Sequence, residues 1–257
     1  MSYLGSKGGS GVYQKIIAEM PPHDTYIETH LGSGAVILRK PPAMHNVGID
    51  IDAEPLKEFA HRHNRLYIDL VCRDAVDYLN DYDFYRAGRV LIYADPPYMP
   101  ETRTSRARYR HEYTVADHER LLACLISLPE NVSVILSGYP SQLYDETLAG
   151  WRSKEFQAMT RGGVRTEKIW MNYPEGRAYS HAFAGKDYND RQRIKRKVER
   201  WRAKYAALPP AERLAIMMAL NEVDAGEFCL KDNSFQWVIF CAIISAVVHD
   251  YLQERQL

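Results

Sequence analysis

Predicted helices and strands alternate along the chain from residue 12 to about residue 172. The strands are short apolar runs rich in branched and aromatic residues, and the segments between them carry the apolar spacing of helices. Neighbouring parallel strands need a crossover, usually a helix, and such helices cover both faces of the sheet. The sequence therefore predicts an α/β fold with a mostly parallel sheet.

The element boundaries follow the apolar runs and the prolines and glycines that end them. Predicted strands cover 25–28, 46–51, 66–72, 90–95, 132–136, 152–159 and 166–172. Predicted helices cover 12–20, the segment from the glycine loop through Arg39, 54–64, 75–79 and 115–127.

The composition changes after about residue 185. Residues 186–204 carry nine lysines and arginines and three aspartates and glutamates, a local net charge of 9 − 3 = +6. Further helices are predicted over 211–223 and 234–253, and their wide apolar faces suit either packing on the core or a homodimer interface. We therefore expect a main domain over 1–185 and a small all-helical extension over 186–257.

The composition restricts the cellular location and the binding partners that we expect for this protein. The formal net charge is +0, so any nucleic-acid binding must use local basic patches. The four cysteines are far apart and form no CxxC pair, which favours reduced thiols over disulfides or a zinc site. The N-terminus lacks the apolar core of a signal peptide, and the most apolar segment, 237–248, is shorter than the ~20 residues that span a bilayer. We expect a cytoplasmic protein that uses no metal and no membrane.

The stretch LIYADPPYMP, residues 91–100, indicates a ligand site. Neither Pro96 nor Pro97 can donate to a sheet ladder, so the strand must stop near Asp95. A stiff loop then begins at the carboxyl end of the strand, where open α/β sheets bind ligands. The loop offers a carboxylate and carbonyl acceptors beside the ring of Tyr98. An ordinary Pro-Pro turn is the structural alternative.

Three earlier strand ends carry glycines or an acid. Gly32-Ser33-Gly34 allows a tight turn and close approach of a ligand, although a plain turn would also explain it. Asp50 can accept both ribose hydroxyls of a nucleoside, and Asp74 can accept from an adenine amine. The N-terminal segment 5–9 could hold a carboxylate with backbone N–H groups and the Lys7 ammonium, or be a flexible start of the chain.

Four segments together resemble a known family: YLGSKGG at 3–9, YIETHLGSGAV at 26–36, GIDID at 48–52 and ADPPY at 94–98. In these motifs and their order the chain resembles the adenine-specific DNA methyltransferases of the Dam-like class. Weaker likeness lies in VILSGYPS at 134–141 and TEKIWMNYP at 166–174. The resemblance implies a class I (Rossmann-like) methyltransferase fold, S-adenosylmethionine as cofactor, and methyl transfer to the exocyclic N6 amine of adenine in double-stranded DNA.

The resemblance also implies residue roles. Lys7 and Gly8 would lie near the methionine carboxylate of the cofactor. Glu28 and the glycine loop would frame its ammonium and nucleoside, Asp50 would bind the ribose, and Asp74 would bind the adenine. The implied cofactor-binding set is Tyr3, Lys7, Gly8, Glu28, Gly32, Gly34, Asp50, Ile51, Asp74 and Ala75.

The implied catalytic set is Asp95, Pro96, Pro97 and Tyr98. Asp95 and the Pro96 carbonyl would accept hydrogen bonds from the target amine. Two acceptors out of the ring plane favour a pyramidal nitrogen and free its lone pair for the transfer. A base inside a duplex cannot reach this pocket, so it must be flipped out and stack on Tyr98.

Two departures from the family bear on recognition. His30 stands where relatives usually have a different loop sequence, and we interpret it as a packing residue. The large recognition domain that many relatives insert between the third strand and DPPY is missing. DNA contacts are therefore expected from the loop 99–114 and from the basic helix 186–204. The candidate residues are Arg103, Arg106, Arg108, Tyr109, Arg110, Arg193, Lys195, Arg196 and Lys197.

Three alternatives stay open from the sequence. The same chemistry could act on RNA adenine. A catalytically silent relative could keep the fold and bind DNA only, although the intact DPPY and Asp50 argue against it. A methyltransferase for a small molecule or a protein would have little use for the arginines of 103–110.

Overall fold

The computed structural model describes residues 7–8, 11–63, 67–99, 111–160, 163–175, 185 and 187–228. The chain divides into two compact units, Met1–Ile194 and Lys195–Leu257. This division falls inside the first helix of the predicted extension. Outside the described residues lie the predicted helix 234–253 and these predicted site residues: Tyr3, Arg103, Arg106, Arg108, Tyr109 and Arg110.

The first unit contains one seven-stranded sheet. Its strands are β1 (Thr25–Glu28), β2 (His45–Asp50), β3 (Asp69–Cys72), β4 (Val90–Ala94), β5 (Val132–Gly138), β6 (Arg152–Thr160) and β7 (Gly163–Met171). The spatial order is β3-β2-β1-β4-β5-β7-β6. The first five strands pair in parallel, and β7 runs antiparallel to both β5 and β6.

Most of the described helices agree with the sequence-based prediction, but one predicted helix is not formed and the helix Gln142–Thr147 was not predicted. The structure has hydrogen-bonded turns over residues 35–39 in place of the predicted helix through Arg39. Pro41 and Pro42 follow directly and cannot continue a helix, which explains why the segment stays short. The helices are α1 (Val12–Glu19), α2 (Ala53–Arg62), α3 (Ala75–Asp81), α4 (Val115–Ile126), α5 (Gln142–Thr147), α6 (Tyr188–Ala206) and α7 (Pro210–Phe228), with a 3₁₀ turn at Phe84–Arg86.

The sheet is buried on both faces. Successive residues of its central strands enter two different apolar clusters, as the period of two in a strand requires. On one face, Ile27 and Ile92 join the cluster that contains Leu121 of α4. On the other face, Tyr26 and Leu91 join the cluster that contains α1. Burial on both faces explains why these strands read as continuous apolar runs.

The strand order reverses direction between β1 and β4, because the chain first builds outward through β2 and β3 and then returns. This is the topological switch point at which open α/β sheets bind ligands. Glu28 at the end of β1 is in register with Tyr93 near the end of β4. The architecture is the Rossmann-like methyltransferase fold, which confirms the predicted fold class.

Candidate active site

The end of β1 carries a buried carboxyl group. Glu28 Oε2 accepts hydrogen bonds from the Tyr26 hydroxyl at 2.9 Å and from the Ile37 backbone N–H at 2.9 Å. Burial disfavours the charged form and raises the pKa of Glu28 to about 8, despite these two donors. Glu28 is therefore largely protonated near neutral pH and can itself donate one hydrogen bond.

The end of β2 carries the predicted ribose-binding acid. Asp50 Oδ2 accepts from the Gly32 backbone N–H at 2.9 Å, and Oδ1 accepts from the Asp52 N–H at 3.0 Å. The glycine loop is thus tied directly to the acid. Gly32 and Gly34 both have positive φ, 47° and 63°, which explains why glycine occupies these positions. Each carboxylate oxygen keeps a further lone pair for a hydroxyl donor.

The acid at the end of β3, Asp74, is the N-cap residue of a helix. Asp74 caps α3, and its Oδ1 accepts from the backbone N–H groups of Val76 and Asp77, both at 3.0 Å. The guanidinium of Arg120 also donates to this oxygen, at 3.0 Å. Asp74 Oδ1 is thus committed to the helix cap and the ion pair, and Ala75 is buried in the first turn of α3.

His30 is held by two hydroxyl groups. Its Nε2 lies 2.9 Å from the Tyr113 hydroxyl and its Nδ1 lies 2.9 Å from Thr29 Oγ1. Burial lowers the pKa of His30 to about 3, so the ring is neutral. These contacts agree with its interpretation as a packing residue. They also bring Tyr113, near the end of the predicted DNA-contacting loop, to the rim of the site.

The strongest charge cluster lies at the end of β4. Lys7 is 4% exposed, and its ammonium lies 3.0 Å from Asp95 Oδ1 and 3.2 Å from Glu167 Oε2. Burial opposes the charge on Lys7, but the two carboxylates outweigh it and raise the pKa of the ammonium. The structure therefore places Lys7 beside the predicted catalytic carboxylate.

Asp95 is fixed by a second partner on the neighbouring strand. The Ser137 hydroxyl donates to Asp95 Oδ1 at 2.8 Å and lies 3.1 Å from the buried Tyr93 hydroxyl. Burial raises the pKa of Asp95, while Lys7 and Ser137 act in the opposite direction. Ser137 was missed as a site residue, although it lies in the VILSGYPS segment and β5 pairs with β4.

Tyr98 is buried against two neighbours. Its hydroxyl accepts a hydrogen bond from the Lys7 ammonium, which lies 4.7 Å from the ring centroid. The Tyr139 ring lies 4.2 Å away between centroids, tilted by 47°. Pro96 is buried and Pro97 is half-buried, so the DPPY loop is packed into the molecule.

Glu167 is the residue that sequence reasoning missed most clearly. It is 5% exposed and comes from β7, the antiparallel strand, in which Lys168 is paired with Gly138 of β5. An antiparallel strand brings its beginning, not its end, to the carboxyl edge of the other strands. The TEKIWMNYP segment marked the strand, but its direction could not be read from the pattern.

The predicted DNA-binding residues that the structure describes all lie on α6. Arg193, Lys195, Arg196 and Lys197 are all exposed on this helix, and Arg193 pairs with Asp190 at 2.7 Å within it. The first of the four belongs to the first compact unit and the others belong to the second.

Membrane-spanning helices and metal sites are both absent from the described part of the chain. Among those residues, no helix is long and apolar enough to cross a bilayer. Within the same ranges, no group of three or more histidine, cysteine or acidic side chains could hold a metal ion.

Comparison with known proteins gives structural likeness only. No protein-family model matches the sequence, and no curated protein sequence matches it significantly. A dimethyladenosine transferase from Plasmodium falciparum is 15% identical, with a TM-score of 0.44 over 63% of this chain and 62% of that one. An SAM-dependent methyltransferase from Agrobacterium tumefaciens is 16% identical, with a TM-score of 0.41 over 63% and 60%. A putative methyltransferase, yhhF, from Escherichia coli is 15% identical, with a TM-score of 0.36 over 57% and 74%.

Proposed function

We propose that this protein is a site-specific DNA adenine methyltransferase that transfers a methyl group from S-adenosylmethionine to the N6 amine of a flipped adenine. One observation carries the proposal. The Asp95 carboxylate, followed by Pro-Pro-Tyr at the switch point of the sheet, lies 3.0 Å from a nitrogen donor, the Lys7 ammonium. An acceptor already placed for an N–H donor beside an aromatic ring suits an exocyclic amine.

The residues around the glycine loop fit the cofactor. Asp50 keeps lone pairs for the ribose hydroxyls, and Ile51 is 45% exposed beside it, which gives an apolar surface for a purine. Glu28 and the positive-φ glycines would frame the amino-acid end, with Gly8 near its carboxylate. S-adenosylmethionine, when bound, supplies an electrophilic methyl group on a sulfonium, so no metal is needed.

The protein itself would supply the hydrogen-bond acceptors for the target amine and hold them in position. Asp95 and the Pro96 carbonyl accept the two amine hydrogens and pull the nitrogen out of conjugation with the purine ring. An Asp95 oxygen would take the proton that the amine gives up on methylation, helped by the burial that raises the pKa of Asp95. Ser137 keeps the carboxylate oriented. Tyr98 supplies the stacking surface.

Double-stranded DNA is the proposed partner, and a base would have to be flipped out to reach the half-buried Asp95 and the buried Tyr98. The cations of α6 would contact phosphates without reading sequence. The arginines of the loop 99–114 would contact bases and backbone. A homodimer that reads a palindromic site is part of the proposal, and sedimentation with and without DNA tests it: a monomer mass in both would remove it.

The experiment is a methylation map. The protein and its Asp95→Ala variant are expressed separately in a host that lacks adenine methylation, and the host DNA is sequenced by a modification-sensitive single-molecule method. Methyladenine in one recurring motif, absent with the variant, is the expected result. Unmodified DNA from a folded, cofactor-binding protein would count against DNA and make RNA the next substrate to test.

A further inference from the structure

Lys7 contacts the groups that the proposed function assigns to the substrate. Its ammonium lies 3.0 Å from Asp95 Oδ1, where the target amine would donate. It also donates to the Tyr98 hydroxyl and lies 4.7 Å from the centre of the ring on which the base would stack. A flipped adenine and the ammonium in this position would compete for the same carboxylate.

Glu167 offers the ammonium a second position. Its Oε2 lies 3.2 Å from Lys7 Nζ, is fully buried, and makes no hydrogen bond to any residue that the structure describes. A buried carboxylate oxygen without a hydrogen bond costs free energy. The short movement that would turn the ammonium from Asp95 toward Glu167 would satisfy this oxygen.

We propose that Glu167 is a positioning residue that takes over the Lys7 ammonium when the target amine claims Asp95. Lys7 thus acts as a placeholder for the amine in the free enzyme, and Glu167 allows it to leave without losing its ion pair. The ammonium lies within reach of both carboxyl groups, so it can pair with one while the other accepts from an incoming donor. The inference rests on the proposed function for the identity of the amine.

The first test needs no methyltransferase activity. The lysine side chains are labelled with ¹⁵N, and the ammonium signals are recorded by NMR. The signal of the buried Lys7 ammonium is identified as the one that disappears in Lys7→Met. We expect the signal to persist in Asp95→Asn and in Glu167→Gln, because one carboxylate remains in each, and to vanish in the double variant. Loss of the signal in Asp95→Asn alone would show that Glu167 cannot hold the ammonium and would overturn the proposal.

The second test measures single-turnover methylation at saturating cofactor. Glu167→Gln leaves the ammonium bound to Asp95, so we expect the rate to fall about 10- to 100-fold, the size of one hydrogen bond to a charged group. Lys7→Met combined with Glu167→Gln removes the competitor, and we expect it to recover at least about 10-fold over Glu167→Gln alone. A double variant as slow as Glu167→Gln would contradict the placeholder role.

Glu155→Gln is the matched control. Glu155 lies on the neighbouring strand, pairs with Lys168 at 3.6 Å and is exposed, so its amide variant should keep the wild-type rate. If the wild-type protein methylates adenine in neither DNA nor RNA, the proposed function fails, whereas the ammonium signals still decide whether Glu167 can hold Lys7.

Discussion

The two halves of the candidate site are held together in different ways. At β1 and β2, the carboxyl groups of Glu28 and Asp50 accept mainly from backbone N–H groups, those of Ile37, Gly32 and Asp52. At β4, β5 and β7, Asp95 and Glu167 meet an ammonium from the start of the chain.

This difference has chemical consequences. Backbone donors are fixed by the loop itself, so the first half is a rigid frame suited to binding. The second half consists of side chains that can exchange partners, and its charges can respond to an incoming donor. Under the proposed function, cofactor binding and methyl transfer would use different halves of one sheet edge.

The largest expected effect is on the methylation rate, in the half of the site at β4, β5 and β7. Asp95→Asn keeps the shape of the side chain but replaces one acceptor oxygen with a donor, so we expect single-turnover methylation to fall at least about 10²- to 10³-fold. Cofactor affinity, measured by calorimetry, should change little, because Asp50 and the glycine loop are untouched. Near wild-type methylation by this variant would show that the half of the site at β4 does not carry the chemistry.

The next effect concerns the protonation of Glu28. Below pH 4.5 its carboxyl is protonated in both the folded and unfolded states. Between pH 4.5 and about 8 the unfolded chain ionises while the folded protein retains the proton, so this group makes folding less favourable as the pH rises. In Glu28→Gln this penalty is absent.

We therefore expect Glu28→Gln to gain stability over the wild type as the pH rises from 5 to 8, by roughly 3 kcal/mol, less if the site relaxes. Urea denaturation at several pH values measures it. Glu58→Gln, on the exposed face of α2, is the control for the loss of one carboxylate. A parallel pH dependence in wild type and Glu28→Gln would mean that Glu28 is ionised in the folded protein.

A smaller effect is expected from Asp50→Asn. The amide has one acceptor oxygen, so either Gly32 or Asp52 loses its hydrogen bond, and the free energy of unfolding should fall by about 1 to 3 kcal/mol. Cofactor binding should weaken by about 10-fold or more, since the amide presents a donor to one ribose hydroxyl. Asp69→Asn, at an exposed position of β3, should alter neither quantity.

The smallest effect is expected on the free energy of unfolding, at Tyr113 on the rim of the site. Tyr113→Phe removes the hydroxyl that lies 2.9 Å from His30 Nε2, and the free energy of unfolding should fall by about 1 kcal/mol. The exposed Tyr85, 88% accessible, gives the control variant Tyr85→Phe, which should be neutral. Equal stability of both variants would show that the His30–Tyr113 contact contributes nothing to the free energy of unfolding.

Local patterns were sufficient to locate the strands and the residues at their ends. The apolar runs located the strands, and the residues after Glu28, at Asp50 and at Asp95 were identified from where those runs end. The helix through Arg39 was predicted wrongly, because the apolar run 35–38 follows the glycine loop but Pro41 and Pro42 leave no length for a helix. The short helix α5 was missed, since six residues are too few to show a period.

Which residues end the strands could be read from the amino-acid order, because strand and turn signals act over a few neighbouring positions. The meeting of Lys7 with Asp95 and Glu167 emerges only in the folded chain, since these residues are far apart in sequence and nothing local specifies their contact. The direction of β7 explains how Glu167 reaches this cluster. An antiparallel strand brings Glu167 to the carboxyl edge, and a parallel strand would have carried it to the opposite edge of the sheet.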